Sequence, residues 1–361
     1  MDIRFIPTDE QVMLRDSARR WVAQGHVLDA PTDAHWAIFA EMGWLMAALP
    51  EEAGGLGGDA QDAAVIAEEF GYGLVRAPFI EVGVTAAQLL MALAPHRVPG
   101  LTEGGFRPIL AHDETAARGE AHWIQTRAER DGDGWRLSGR KTGVIGAPHA
   151  DTLLVTAYAD EGMTLFEIPA AAAPMRAFRT IDDRAAAELL LDGTPATAVG
   201  PIGGACPAVL NAADHALVVE SAEAVGAMQK VFDLTREYLL TRKQYGRPIG
   251  DFQALRHRLA DMFIEVEQAR SIVLRGLAGL RSVDPRERSM LAAATRARTA
   301  QAGAFVGAQG IQLHGGIGVT EEYPVGHYFK RLTAFALRHG TEAAQVERYT
   351  ELSNNRQGIS S

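Results

Sequence analysis

Residues 211–253 read NAADHALVVESAEAVGAMQKVFDLTREYLLTRKQYGRPIGDFQ, and their pattern decides how the rest of the chain is read. Ser221, Val225, Met228, Phe232, Thr235 and Leu239 recur at steps of four and three. That spacing predicts a helix of several turns with a mostly apolar face. Gly246 and Pro248 are its expected stop. Arg242, Lys243 and Arg247 cluster there, where free carbonyls and the negative end of the helix dipole attract cations and where arginine can grip an anionic ligand. Basic residues at a helix end are more often plain caps than ligand contacts, so the flanking sequence has to decide.

With 361 residues the chain can bury a sizeable core and form two or three domains. A formal charge of -10 excludes a general nucleic-acid binder, because phosphate affinity rests on a surplus of Lys and Arg. Cys206 is the only cysteine, which excludes an intrachain disulfide and a cysteine-rich metal centre. It is expected to be a small buried residue, and no metal site is expected. The opening MDIRFIPTDEQ has no charged and apolar leader pattern, and no run of about 18 apolar residues occurs, so a cytoplasmic protein without a membrane span is expected.

From the N-terminus, Thr8 and Gln11 form an expected capping box that opens a helix with Leu14, Ala18, Trp21 and Val22 on its apolar stripe. Further helical patterns run from Trp36 to Met46, Asp62 to Phe70 and Val82 to Leu93. GWLMAALPEEAGGLGG, at 43–58, is expected to contain a glycine loop. It lacks the Lys-Ser/Thr ending and preceding strand of a phosphate-binding loop. From Phe106 to about Val199 the chain changes to short apolar or alternating runs broken by Gly, Pro and Asp, the pattern of strands and turns. DGDGW at 131–135 is a strong hairpin signal. From Pro207 to about Leu352 the helical pattern returns, with turns at Asp284-Pro285 and at QLHGGIG.

TRKQYGRPIGDFQALRHRLADM, at 241–262, closely resembles the acyl-CoA dehydrogenase family, in which an R-K-x-F/Y-G-x-x-I-x-x-x-Q segment contacts FAD. GIQLHGGIGVTEEYP, at 310–324, resembles a second FAD-contacting segment of that family, and residues 43–71 resemble its N-terminal helical domain. The resemblance implies an α+β fold with an N-terminal helical domain at 1–105, a middle β-barrel-like domain at 106–205 and a C-terminal four-helix bundle at 206–361. It also implies α,β-desaturation of an acyl-CoA thioester, with a carboxylate as base and FAD as electron acceptor. Such a carbon acid needs a positioned base and dipoles that stabilise the developing enolate. The family builds its FAD site from two subunits. By resemblance, Arg242 faces the pyrophosphate, with Tyr245 beside it and Gln253 in the same turn, while Gln312, Gly315 and Gly316 form the second contact. Glycines there let backbone approach the cofactor.

The half that a subunit keeps for its own site matches poorly. The A-x-x-E-P-like segment appears as AHDETAARGEAHW, with Thr115 in the proline position, and the flavin-facing strand appears as GRKTGVIGAP, with Gly143 in the aromatic position and Ile145 in the threonine position. His339 stands at the usual base position, in RHGTEAAQ. The alternative base position on the long helix is Ala216, followed by Leu217 where the family has an arginine for CoA. Glu220, one turn on, is a fallback base, and Glu223 shares its face less directly. A glutamate on such a helix is more often paired with Lys or Arg than catalytic. EAVGAMQ, TRKQYGRPIG and GHYFKRLT resemble small subunits of heteromeric bacterial enzymes such as pimeloyl-CoA dehydrogenase, and steroid side-chain dehydrogenases divide similarly. The leading expectation is therefore a base-lacking subunit of an α2β2 heterotetramer, with a catalytically complete partner subunit and an acyl-CoA substrate. Two alternatives stand beside it. One is a self-sufficient homotetramer using His339 or Glu220; the other is a structural subunit that binds no FAD.

Overall fold

The computed structural model describes residues 6–25 and 33–354. Helix α1, Asp9–Ala23, opens on the expected capping box: Thr8 Oγ1 accepts from Gln11 N and Gln11 Oε1 from Thr8 N, both at 3.2 Å. Ala18 and Trp21 are buried, and the Trp21 ring sits 5.5 Å from that of Phe70 on α3, Ala60–Gly73. The helical pattern expected over Trp36–Met46 is divided. Helix α2 is Asp33–Glu41, and Gly43 at φ +71 starts a separate 3₁₀ turn at Trp44–Met46. A π-helical turn, Glu81–Ala86, leads into α4, Ala87–Leu93, and α5 is Val98–Thr102.

The strands are β1 (Pro108–Ala111), β2 (Arg127–Asp131), β3 (Gly134–Ile145), β4 (Thr152–Ala159), β5 (Gly162–Pro169), β6 (Met175–Arg179) and β7 (Ala185–Val199). Pairing runs β4-β2-β3-β7-β5 and returns to β4, so five strands close a ring, with β1 joined to β4 and β6 to β7. The DGDGW hairpin forms as expected, with Asp131 opposite Gly134 and Gly132 at φ +60. Closure removes free edges from the ring strands.

Helices α6 (Cys206–Thr241), α7 (Gln253–Leu280), α8 (Pro285–His314) and α9 (Val325–Leu337) supply the four helices expected at the C-terminal end, and α10 (Glu342–Asn354) is a fifth, packed on α8. Asp284 caps α8 by accepting from Arg286 N at 2.9 Å, and Pro285 occupies the first turn, where its missing N–H leaves no gap. On α6 the whole expected stripe is buried except Phe232, which is half-buried.

The described residues gather into two compact units, one drawn from 1–28, 64–75 and 218–361 and the other from 29–63 and 76–217. In the first, α3 and α6 meet backbone to backbone. A Cβ on Gly71 would lie 1.8 Å from Glu223 O, and one on Gly226 the same distance from Glu68 O. Tyr328 Oη donates to Tyr72 O at 2.5 Å and Arg331 donates to Val75 O at 3.2 Å, so α9 satisfies carbonyls that the end of α3 leaves open.

Candidate functional site

The long helix stops earlier than its sequence suggests. α6 ends at Thr241, five residues before Gly246, because the next residues pair with each other. Strands β8, Lys243–Gln244, and β9, Arg247–Pro248, form a small hairpin whose corner residues, Tyr245 and Gly246, have φ +52 and +77. Two positive φ angles at the corner define the tight turn that best suits the twist of a two-stranded ribbon. The bond from Ile249 N to Arg242 O, at 2.8 Å, closes the base of the hairpin. Tyr245 is thrust outward, 91% exposed, with its ring edge-on to Phe252, while Arg247 lies over the Phe252 ring at 4.2 Å.

Antiparallel packing brings three helix ends together: the end of α6, the start of α7 at Gln253 and the end of α8. The Tyr238 ring on α6 stacks 4.6 Å from His314 at the end of α8, and Arg258 on α7 donates to Gln309 on α8 at 2.7 Å. Arg242, Gln253 and Gln312 are all exposed at this end, and none of the three side chains has a partner among the described residues. Beyond Gln312, Gly315 takes φ +65 and opens a 3₁₀ turn, Gly315–Val319. A Cβ on Gly315 or Gly316 would meet nothing within 4 Å, so the backbone there is open to a ligand. A free guanidinium, two free amides, an exposed ring and bare backbone are the groups a dinucleotide needs: cations and helix N–H groups for its phosphates, and flat surfaces for its rings. The residues present fit FAD in this sense.

The base position is built in the opposite way. His339, at φ +58, and Gly340, at φ +91, form a left-handed turn after α9. His339 Nε2 lies 3.1 Å from Glu220 Oε1, and because a carboxylate only accepts, that nitrogen carries the hydrogen. Arg338 Nη1 reaches the same oxygen at 2.9 Å, and Arg296 Nη1 reaches Glu220 Oε2 at 2.9 Å. Arg296 also donates to Phe335 O at 2.5 Å and Arg338 O at 2.9 Å, and Gln345 donates to His339 O at 2.6 Å. Glu220 is 3% exposed and Arg296 1%. Burial alone would raise the Glu220 carboxyl, but Arg338, His339 and Arg296 hold it well below the ordinary range. A carboxylate so satisfied is a poor proton acceptor. Glu223 is likewise occupied, by Arg331. The two residues singled out as bases thus meet each other; of the arginines that join them, Arg338 stands in the quoted RHGTEAAQ stretch and Arg296 lies outside every motif.

In the second unit, β3 carries a bulge between Lys141 and Val144. Gly143 sits in it at φ +63 with open space around its α-carbon, and Ile145 is buried. The strand presents neither an aromatic wall nor a hydroxyl at those two positions. Thr115 opens a 3₁₀ turn, Thr115–Ala117, and Ala216 and Leu217 on α6 are buried and apolar. The neighbouring Glu114 is fully used. It accepts from Lys141 Nζ at 2.8 Å, Gln125 N at 2.7 Å and Thr126 Oγ1 at 2.7 Å. Burial, opposed by the Glu114 carboxylate, brings the Lys141 ammonium down to about 8.

The N-terminal domain model of acyl-CoA dehydrogenases matches residues 8–94, and the C-terminal domain model of the same family matches residues 207–351. The chain belongs to the acyl-CoA dehydrogenase family, whose members are FAD-dependent oxidoreductases acting on acyl-CoA. Among curated relatives, acyl-CoA dehydrogenase FadE27 of Mycobacterium tuberculosis is 31% identical over 321 residues, covering 85% of this chain and 84% of its own. Acyl-CoA dehydrogenase IpdE2 of the same organism is 31% identical over 342 residues, covering 90% and 91%. Among solved structures, the Tcur3481-Tcur3483 steroid acyl-CoA dehydrogenase matches at 30% identity and a TM-score of 0.86, over 98% of this chain and 99% of that one. The ChsE4-ChsE5 complex of M. tuberculosis matches at 25% identity and a TM-score of 0.86, over the whole of both chains. No helix among the described residues is long and apolar enough to cross a membrane.

Proposed function

We propose that this chain is the base-lacking subunit of a heteromeric, cytoplasmic acyl-CoA dehydrogenase, and that it completes the FAD site of a catalytically competent partner in an α2β2 assembly. The observation that carries this reading is the contrast within one unit: Arg242, Gln253 and Gln312 are exposed without partners among the described residues, beside bare glycine backbone, while His339 and Glu220 are paired within the chain. Arg242 would hold the pyrophosphate, Tyr245 and Gln253 would flank it, and Gln312 with the Gly315-Gly316 backbone would make the second contact. When bound, FAD supplies the electron acceptor for desaturation of the thioester. The partner would supply the base, the flavin wall and most of the acyl pocket. Two of the structural relatives are named for two chains each, which supports a divided assembly.

The deciding experiment measures flavin content and mass for this chain purified alone and after co-expression with its genomic neighbour. A colourless chain that becomes yellow only in the mixed complex, with about one FAD per heterodimer, is the expected result. A chain that is yellow alone with one FAD per protomer sinks the proposal.

One observation favours a second reading. His339 directs its Nε2 hydrogen at Glu220, the carboxylate–imidazole pairing that orients a histidine base. Under that reading the chain alone oxidises an acyl-CoA and His339→Gln abolishes the activity.

A further inference from the structure

The turn that carries Gly315 and Gly316 is closed by two side chains that the proposed FAD contacts do not use. His314, the last residue of α8, is 3% exposed. Its Nδ1 lies 2.7 Å from Gly310 O and its Nε2 lies 3.2 Å from Tyr323 Oη. A carbonyl only accepts, so Nδ1 carries the hydrogen, and in the neutral ring Nε2 is left to accept from the Tyr323 hydroxyl. Burial pushes the His314 imidazole below its ordinary range, in keeping with a neutral ring. The ring is held on both sides, by Tyr238 at 4.6 Å and by Tyr323 at 4.8 Å. The segment from 315 to 322 therefore begins and ends at one hydrogen bond. Within it, a Cβ on Gly318 would come within 2.9 Å of Ile311 O and 3.0 Å of His314 Cβ, so the turn folds tightly back on the end of α8.

Resting on the shared-site reading above, we propose that His314 and Tyr323 are positioning residues for the cofactor: their hydrogen bond clasps the two ends of the 315–322 segment and fixes the bare Gly315-Gly316 backbone in the orientation that meets FAD. Neither side chain need touch the cofactor. A turn without side chains at its contact point has no rotamers to lock it, so its shape must be imposed from its ends.

The test titrates FAD into the apo form of the flavin-loaded assembly and follows the change in flavin fluorescence, with Arg242→Ala as the control for the site itself. Tyr323→Phe removes the hydroxyl and keeps the ring. His314→Asn keeps a donor for Gly310 O and loses the acceptor for Tyr323, whereas His314→Gln places its amide oxygen where Nε2 stands and restores an acceptor. Tyr323→Phe and His314→Asn should each raise the FAD dissociation constant about fivefold to tenfold, the two together no more than either alone, and His314→Gln should stay close to wild type. Unchanged FAD affinity in Tyr323→Phe, with affinity lost in Arg242→Ala, overturns the clasp and leaves the shared site standing. Unchanged affinity in Arg242→Ala as well overturns the shared site and the clasp with it. Because Tyr323→Phe alters a single hydroxyl, it carries the result even if a histidine variant fails to fold.

Discussion

Two polar clusters in the same unit are built from similar residues and finished in opposite ways. At the joined ends of α6, α7 and α8, Arg242, Gln253 and Gln312 stand in solvent with no partner among the described residues. Around Glu220, by contrast, two guanidiniums, an imidazole and two backbone carbonyls meet inside the protein. An arginine held out from a fold does nothing for stability and keeps its hydrogen bonds for a ligand. An arginine buried on a carboxylate is part of the fold itself. Chemistry of the side chain alone therefore does not tell a structural arginine from one left open to a ligand; its partners within the fold do.

The contrast can be broken or sharpened by substitution. The largest effect should come from Arg296→Ala, which takes the donor from Glu220 Oε2 and from two backbone carbonyls while Arg338 and His339 stay on Oε1, and is expected to cost about 3 kcal/mol in urea unfolding. A loss below about 1 kcal/mol would mean the Glu220 cluster is not the tie it looks. Arg242→Ala should leave unfolding nearly unchanged but weaken FAD binding by about 1.5–3 kcal/mol, read by fluorescence titration of the assembly. The clusters should also differ with pH. Glu220 is held below its unfolded value, so its contribution is fully present above about pH 5 and is lost as pH falls through the lowered folded value. Acid unfolding of Glu220→Gln should be correspondingly shallower than that of wild type, and identical acid limbs would remove the charge from the argument. Smallest of all, Tyr245→Ala should change stability by less than about 0.5 kcal/mol, because a ring so exposed has little packing to lose.

Much of this was legible along the chain. Helical spacing found the buried stripe of α6, Asp-Gly found the β2-β3 hairpin, and Asp284-Pro285 marked the start of α8. Local rules failed where two local signals competed. Gly246 and Pro248 have the chemistry of helix stoppers, yet they belong to a hairpin of their own, and the helix yields at Thr241. Gly43 interrupts a helical pattern that apolar spacing alone would continue. The site was legible only in its contiguous motifs. Arg296 and Arg298 sit two apart in the same alanine-rich helix, yet one is buried on Glu220 and the other pairs with Glu265 near the surface. Their destinations depend on which face α8 turns to its neighbours, and that is settled by packing between segments far apart in sequence.

The Gly71 and Gly226 contacts also set a timetable. Trp21 and Phe70 lie in parts of the chain made first, but the helix against which α3 closes begins its share of that unit only at Val218. During synthesis the unit drawn from 29–63 and 76–217 can be completed while α1 and α3 still wait, covered only by each other, for residues 74–217 to follow. The segments made earliest are thus among the last to be secured. A chain cut short before α6 would leave the ribosome with a finished β ring and two orphaned helices, a natural client for chaperones.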